Sequence, residues 1–140
     1  MMAAVKRNHD VAQALVNAGA KNHTTRRYMY PIAIAAWYND VRMMQIVYGR
    51  DPDVNPRKIV IDLSSQRVYM YENGVQVYSA PCSTGKPGKR TPTGTFAVTQ
   101  KNRHHTSSIY GSSMPYFQRV SCRDFGLHVG RLPGYPASSG

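Results

Sequence analysis

Acids are scarce in this chain. Eighteen lysines and arginines stand against seven aspartates and glutamates, giving a formal net charge of +11 at pH 7 with the histidines neutral. From Pro56 onward eleven Lys/Arg face three acids, Asp62, Glu72 and Asp124. Such a surplus attracts polyanions, whether nucleic acid or an anionic cell-surface polymer, and charge alone does not choose between them. Cysteine is scarcer still. Cys82 and Cys122 have neither C-x-x-C spacing nor a nearby pair of histidines, which argues against a zinc site. A disulfide in an oxidising compartment and two free thiols both remain compatible with them. No apolar run approaches the roughly 18 residues that span a bilayer. The start, Met1 to Arg7, has no apolar stretch followed by a cleavage site, so no secretory signal is visible. What is present suits a globular chain of about one domain: 140 residues, 41% hydrophobic and 10% aromatic.

Two periodicities divide the chain. Residues 3–55 read as helical. Ala3, Ala4, Val11, Leu15 and Val16, followed by Asn17-Ala18-Gly19-Ala20, predict an amphipathic helix closed by a glycine. The pattern returns in Pro31-Ile32-Ala33-Ile34-Ala35-Ala36, then Val41, Met44, Ile46 and Val47. Ala4 to Ala36 and Gly19 to Asp51 are offsets of 32, near the 33 of ankyrin repeats. Tyr30 to Ala36 resembles the ankyrin run Thr-Pro-Leu-His-X-Ala-Ala, departing at Ala33 in place of the His and at Asp51 in place of a loop Gly. A plain helical hairpin is the alternative. Either way, one and a half repeats cannot bury a continuous core alone, so the segment needs something to pack against.

From Arg57 the period becomes two. Ile59, Ile61 and Leu63 alternate with Lys58, Val60 and Asp62, a strand pattern. Val68 to Tyr71, then Asn73-Gly74, then Val75 to Tyr78 predict a β-hairpin, because Asn-Gly supplies the positive φ angles of a two-residue primed turn. Phe96 to Thr99 is a further strand after the turn-rich stretch Ser83 to Gly94. Domains are therefore expected at 3–55, helical and ankyrin-like, and at 57–140, β-rich.

The motifs of the second segment come in a definite order. Ser83-Thr84-Gly85-Lys86 lacks the leading glycine spacing of a phosphate-binding P-loop, and no helical pattern follows it. With Thr91-Pro92-Thr93-Gly94-Thr95-Phe96, Lys101 to His105, Ser107 to Gly111, Met114 to Phe117, Gly126-Leu127-His128 and Leu132 to Gly140, it instead closely resembles the L,D-transpeptidases, enzymes that cross-link the bacterial cell wall. The agreement is nearly continuous from residue 58 onward. In that family a His is followed, after a loop, by Ser-X-Gly-Cys. Here twelve residues, Val129 to Gly140, separate His128 from the position of the Cys, so the resemblance implies a domain cut just before its nucleophile. The half repeat at the front similarly suggests missing residues there.

What the resemblance implies can be stated residue by residue. Acyl transfer needs a nucleophile, a base and N–H donors for the oxyanion. A thiolate is intrinsically nucleophilic, and a neighbouring imidazole lowers its pKa. His128 is the implied base, held by the backbone carbonyl of Val129, and Gly140 stands where the chain must approach the oxyanion closely. Tyr116, Arg131, Ser138 and Ser139 are the implied substrate contacts, with Arg131 suited to a substrate carboxylate. Tyr116 could equally be a core residue. Ser139 replaces the second His that many members carry. His104 and His105, adjacent in a strand, point to opposite faces and argue against a shared metal. Cys122, outside any family motif, reads as a structural or free thiol.

The expectation is thus an α+β protein: a β-rich, C-terminally incomplete L,D-transpeptidase domain preceded by short ankyrin-like helices. Its implied reaction forms 3–3 cross-links in peptidoglycan through a Cys thioester, with no metal and no cofactor. Peptidoglycan stem peptides are the expected partners, together with a protein partner for the helical segment, and neither nucleic acid nor a membrane span is expected. The periplasm or cell envelope is the implied location. The alternative is a non-catalytic basic module that binds cell wall or nucleic acid.

Overall fold

The computed structural model describes residues 1–23, 30–54, 56–121 and 125–132. Among these residues four short helices, α1 (Met2–Val5), α2 (His9–Asn17), α3 (Pro31–Trp37) and α4 (Val41–Val47), precede six strands. The strands are β1 (Arg57–Asp62), β2 (Arg67–Glu72), β3 (Val75–Pro81), β4 (Val98–Thr106), β5 (Ser113–Val120) and β6 (Gly126–Leu127). They form two antiparallel sheets, ordered β1-β2-β3 and β4-β5-β6. The architecture is α+β.

The chain groups into two compact units. One comprises residues 1–54 and 94–129; the other comprises residues 55–93 and 130–140. In the first unit, the single amphipathic helix read from Ala3 to Ala20 is two helices. The break is local: Arg7 takes a left-handed φ of 52°, and Asn8 caps α2 by accepting from the Val11 amide at 3.0 Å. The same device recurs 32 residues on, where Asn39 has φ 49° and Asp40 accepts from the Met43 amide at 3.1 Å. α1 packs on α3 and α2 on α4, so the two helix pairs stack side by side. Small residues allow that approach: Ala3, Ala4, Ala12 and Ala35 are buried with Ile34, Met43, Met44 and Ile46. The glycine that closes the second pair is Gly49, with φ 69°, rather than the Asp51 position, because α4 is shorter than α2.

Asn39 also fastens the helices to the second sheet. Its Nδ2 donates to the Thr95 carbonyl at 3.0 Å, and its Oδ1 accepts from the Ser121 hydroxyl at 2.6 Å. Ser121 Oγ in turn accepts from the Ala97 amide at 2.9 Å. Ala97 packs against the helical core. The helical segment thus has the packing partner that its small size requires.

In the second unit, β2 and β3 form the expected hairpin, with Asn73 at φ 49° and Gly74 at φ 80°. In the first unit, the strand anticipated at Phe96 begins at Val98, because Ala97 is taken up by its bonds to Ser121.

Candidate active site

β5 carries the groups that place His128. Its partner strand β6 is short, pairing Leu127 with Gln118 and Gly126 with Arg119. Gly126 suits this position, since a Cβ would lie 2.6 Å from Cζ of Phe117. Phe117 is the buried anchor of this sheet, 4% exposed, with the His105 ring stacked on it at 4.2 Å between centroids. Beyond Leu127 the chain stays alongside β5, because the Val129 amide donates to the Pro115 carbonyl at 2.9 Å.

That path leaves His128 exposed, its Nδ1 3.1 Å from the carbonyl oxygen of Val129. A carbonyl can only accept, so this contact requires a proton on Nδ1. The lone pair of a neutral ring then sits on Nε2, facing away from the backbone. The Val129 side chain is 59% exposed, and only its main chain is used. The contact fixes the orientation of the ring relative to its own backbone.

Tyr116 lies next to Pro115 on β5 and is exposed rather than core. Its φ is 55°, a left-handed conformation that a bulky side chain adopts only under strain of roughly 1–3 kcal/mol. Asn102 and His104 pair with Phe117 and Pro115, so Arg103 between them faces Tyr116, and its guanidinium carbon stands 5.6 Å from the Tyr116 ring centroid. No sequence motif pairs Arg103 with Tyr116; only the strand register reveals the pair.

The Ser83–Lys86 motif belongs to the second unit, and its organiser, Gln66, carries no sequence signal. Gln66 is buried with φ 51°. Its side chain donates to Thr84 Oγ1 at 2.6 Å and accepts from the Thr84 amide at 3.1 Å, while its carbonyl accepts from the Cys82 amide at 2.8 Å. Gly85 donates its amide to Thr91 Oγ1 at 2.8 Å, and a Cβ there would strike the Lys89 carbonyl and approach the Thr91 nitrogen to 2.8 Å. The glycine therefore closes this loop through backbone contact. The Cys82 thiol is pushed up in pKa by burial and, secondarily, by the Asp62 charge, the opposite of an activated nucleophile.

Of the remaining sequence candidates, Arg131 is exposed. Ser138, Ser139 and Gly140, like Cys122, lie outside the described residues. Among the described residues no cluster of His, Cys, Asp or Glu is arranged to hold a metal. No described helix is long and apolar enough to cross a membrane.

Comparison with known proteins adds three findings. The family model of the L,D-transpeptidase catalytic domain (YkuD) matches residues 56–140. The fold is similar to the crystal structure of an L,D-transpeptidase (Yku) from Stackebrandtia nassauensis, with a TM-score of 0.52 and 16% identity. That match covers 93% of this chain and 78% of the other. No curated protein matches the chain.

Proposed function

This chain belongs to the L,D-transpeptidase catalytic-domain family, and on that premise we propose that it forms 3–3 cross-links between peptidoglycan stems through a Cys thioester. In this reading 57–140 is the catalytic segment and His128 its base. The contact between His128 Nδ1 and the Val129 carbonyl carries the reading, because it fixes the tautomer that leaves Nε2 able to take a thiol proton. The thiol itself would follow Gly140, with Ser138, Ser139 and Tyr116 along the peptide. The thiolate attacks the carbonyl of the third stem residue, the terminal D-alanine leaves, and an amine of a neighbouring stem resolves the thioester. Residues of the strained Pro115–Tyr116 segment hold the His128 strand from the side. Neither metal nor cofactor enters these steps, and the cell envelope is where the substrate is found.

The helical segment we assign to protein binding in the manner of ankyrin repeats. Support comes from the side-by-side stacking of two helix pairs and from the paired caps Asn8 and Asp40, with Trp37, 86% exposed, available to a partner.

The test is covalent. A chain extended past Gly140 by Cys-Ile-Arg and the rest of the domain should gain one carbapenem adduct by mass spectrometry and release D-alanine from a tetrapeptide stem. The 140-residue chain should do neither. An adduct on Cys82 or Cys122 in the short chain would overturn the assignment.

A further inference from the structure

We propose that Arg103, lying over the Tyr116 ring, is the residue that recognises the terminal carboxylate of the peptide substrate. The proposal rests on the peptidoglycan reading above and adds to it a specificity residue that the sequence motifs do not assign.

Three observations converge. The first is position: Arg103 faces Tyr116 across β4–β5, and the next backbone step, Pro115 to Val129, leads directly to the residue that holds His128. The second is chemistry. The guanidinium carbon stands 5.6 Å from the Tyr116 ring centroid, and a guanidinium held against a ring can still offer the N–H fork that fits a carboxylate with two parallel hydrogen bonds. No acid occurs between Glu72 and Asp124, and among the described residues no carboxylate pairs with Arg103. Arg119, by contrast, is engaged by Gln100 and lies over Phe117. The third is strain, for Tyr116 is held in a left-handed conformation that packing of an ordinary strand does not demand. The residue so held is the one whose ring Arg103 meets, next to Pro115, whose carbonyl accepts from the Val129 amide. Arg103 thus takes the part that sequence reasoning gave to Arg131.

Binding to the 140-residue chain tests this without turnover. The probes are a tetrapeptide stem ending in free D-alanine and the same peptide as its C-terminal amide, titrated by isothermal calorimetry or amide chemical shifts. The parent should bind the acid about tenfold more tightly than the amide, the scale of one charge-assisted bidentate contact. Arg103→Ala should bring that ratio to about one while leaving amide affinity unchanged, which also serves as the folding control. Arg103→Lys should keep part of the preference, because it retains charge without the fork. Arg131→Ala should leave the ratio as in the parent. A preference that survives Arg103→Ala, an equal loss for both peptides, or a collapse on Arg131→Ala overturns the proposal. Equal binding of both peptides by the parent removes the Arg103 role alone. If the parent binds neither, the peptidoglycan reading fails and this proposal with it.

Discussion

Gly126 and Phe117 are in direct contact, with no room between the glycine backbone and the buried ring for even a methyl group: a Cβ at Gly126 would stand 2.6 Å from Phe117 Cζ. The contact joins the shortest strand of the sheet to its most buried residue, and it sets where the chain emerges at His128. Gly126→Ala should therefore destabilise the protein by about 1–3 kcal/mol, the usual cost of overpacking. Urea melts would show it. Pairing the change with Phe117→Leu should recover part of the loss, and strict additivity of the two would rule out the contact as its source.

His128 and His105 should separate cleanly. In a chain extended to carry the Cys, His128→Ala should slow acylation by about 10²–10⁴-fold, the worth of a positioned general base. His105, stacked on Phe117 rather than presented to substrate, should affect the melt more than the rate. Stopped-flow acylation beside thermal unfolding distinguishes them, and an equal rate loss in His105→Ala would remove His128 from its role.

Asp40 should make stability depend on acid pH. Burial by itself would raise its pKa, but the Met43 amide and the His9 and Arg7 side chains, at 3.1, 2.9 and 3.2 Å, together hold it below the ordinary carboxylate value. A carboxylate depressed in the folded state binds protons more readily when unfolded. Its stabilisation is full above the unfolded pKa near 4 and disappears as pH falls through the lower folded value. Asp40→Asn should flatten the stability profile below about pH 4. Asp40→Ala should cost roughly 1–2 kcal/mol through the lost cap alone, with little more from Arg7, whose side chain is 58% exposed and screened by solvent. Chemical denaturation between pH 3 and 7 measures both, and a parallel slope for Asp40→Asn and parent would exclude the mechanism.

Gln66 should control the Ser83–Lys86 loop. Gln66→Ala strands the buried Thr84 amide and hydroxyl and should cost about 1–3 kcal/mol. Hydrogen exchange should rise at Thr84 before it rises in β1 and β2. Uniform acceleration across the unit would mean global destabilisation instead.

The sequence by itself determined what depends on neighbours along the chain. Alternation marked β1, Asn73-Gly74 fixed the hairpin because its geometry needs two positive φ angles, and the ordered motifs from residue 58 onward carried the family. It also placed His128 next to the carbonyl it touches, since that partner is the next residue. Tertiary structure decided what depends on distant parts of the chain. Asp40 draws Arg7 and His9 to it across about thirty residues, an anchoring of the helix break that no local pattern announces. Asn39 finds Thr95 and Ser121 across more than fifty residues, so no local period could announce that the helices lean on the second sheet. No local pattern marks Gln66 or Arg103. Gln66 becomes a buried hub when Thr84 folds back on it, and Arg103 meets Tyr116 only when the β4–β5 register is set. Hydrogen bonding between strands chooses that register, and a shift of one residue would have turned the arginine to the other face.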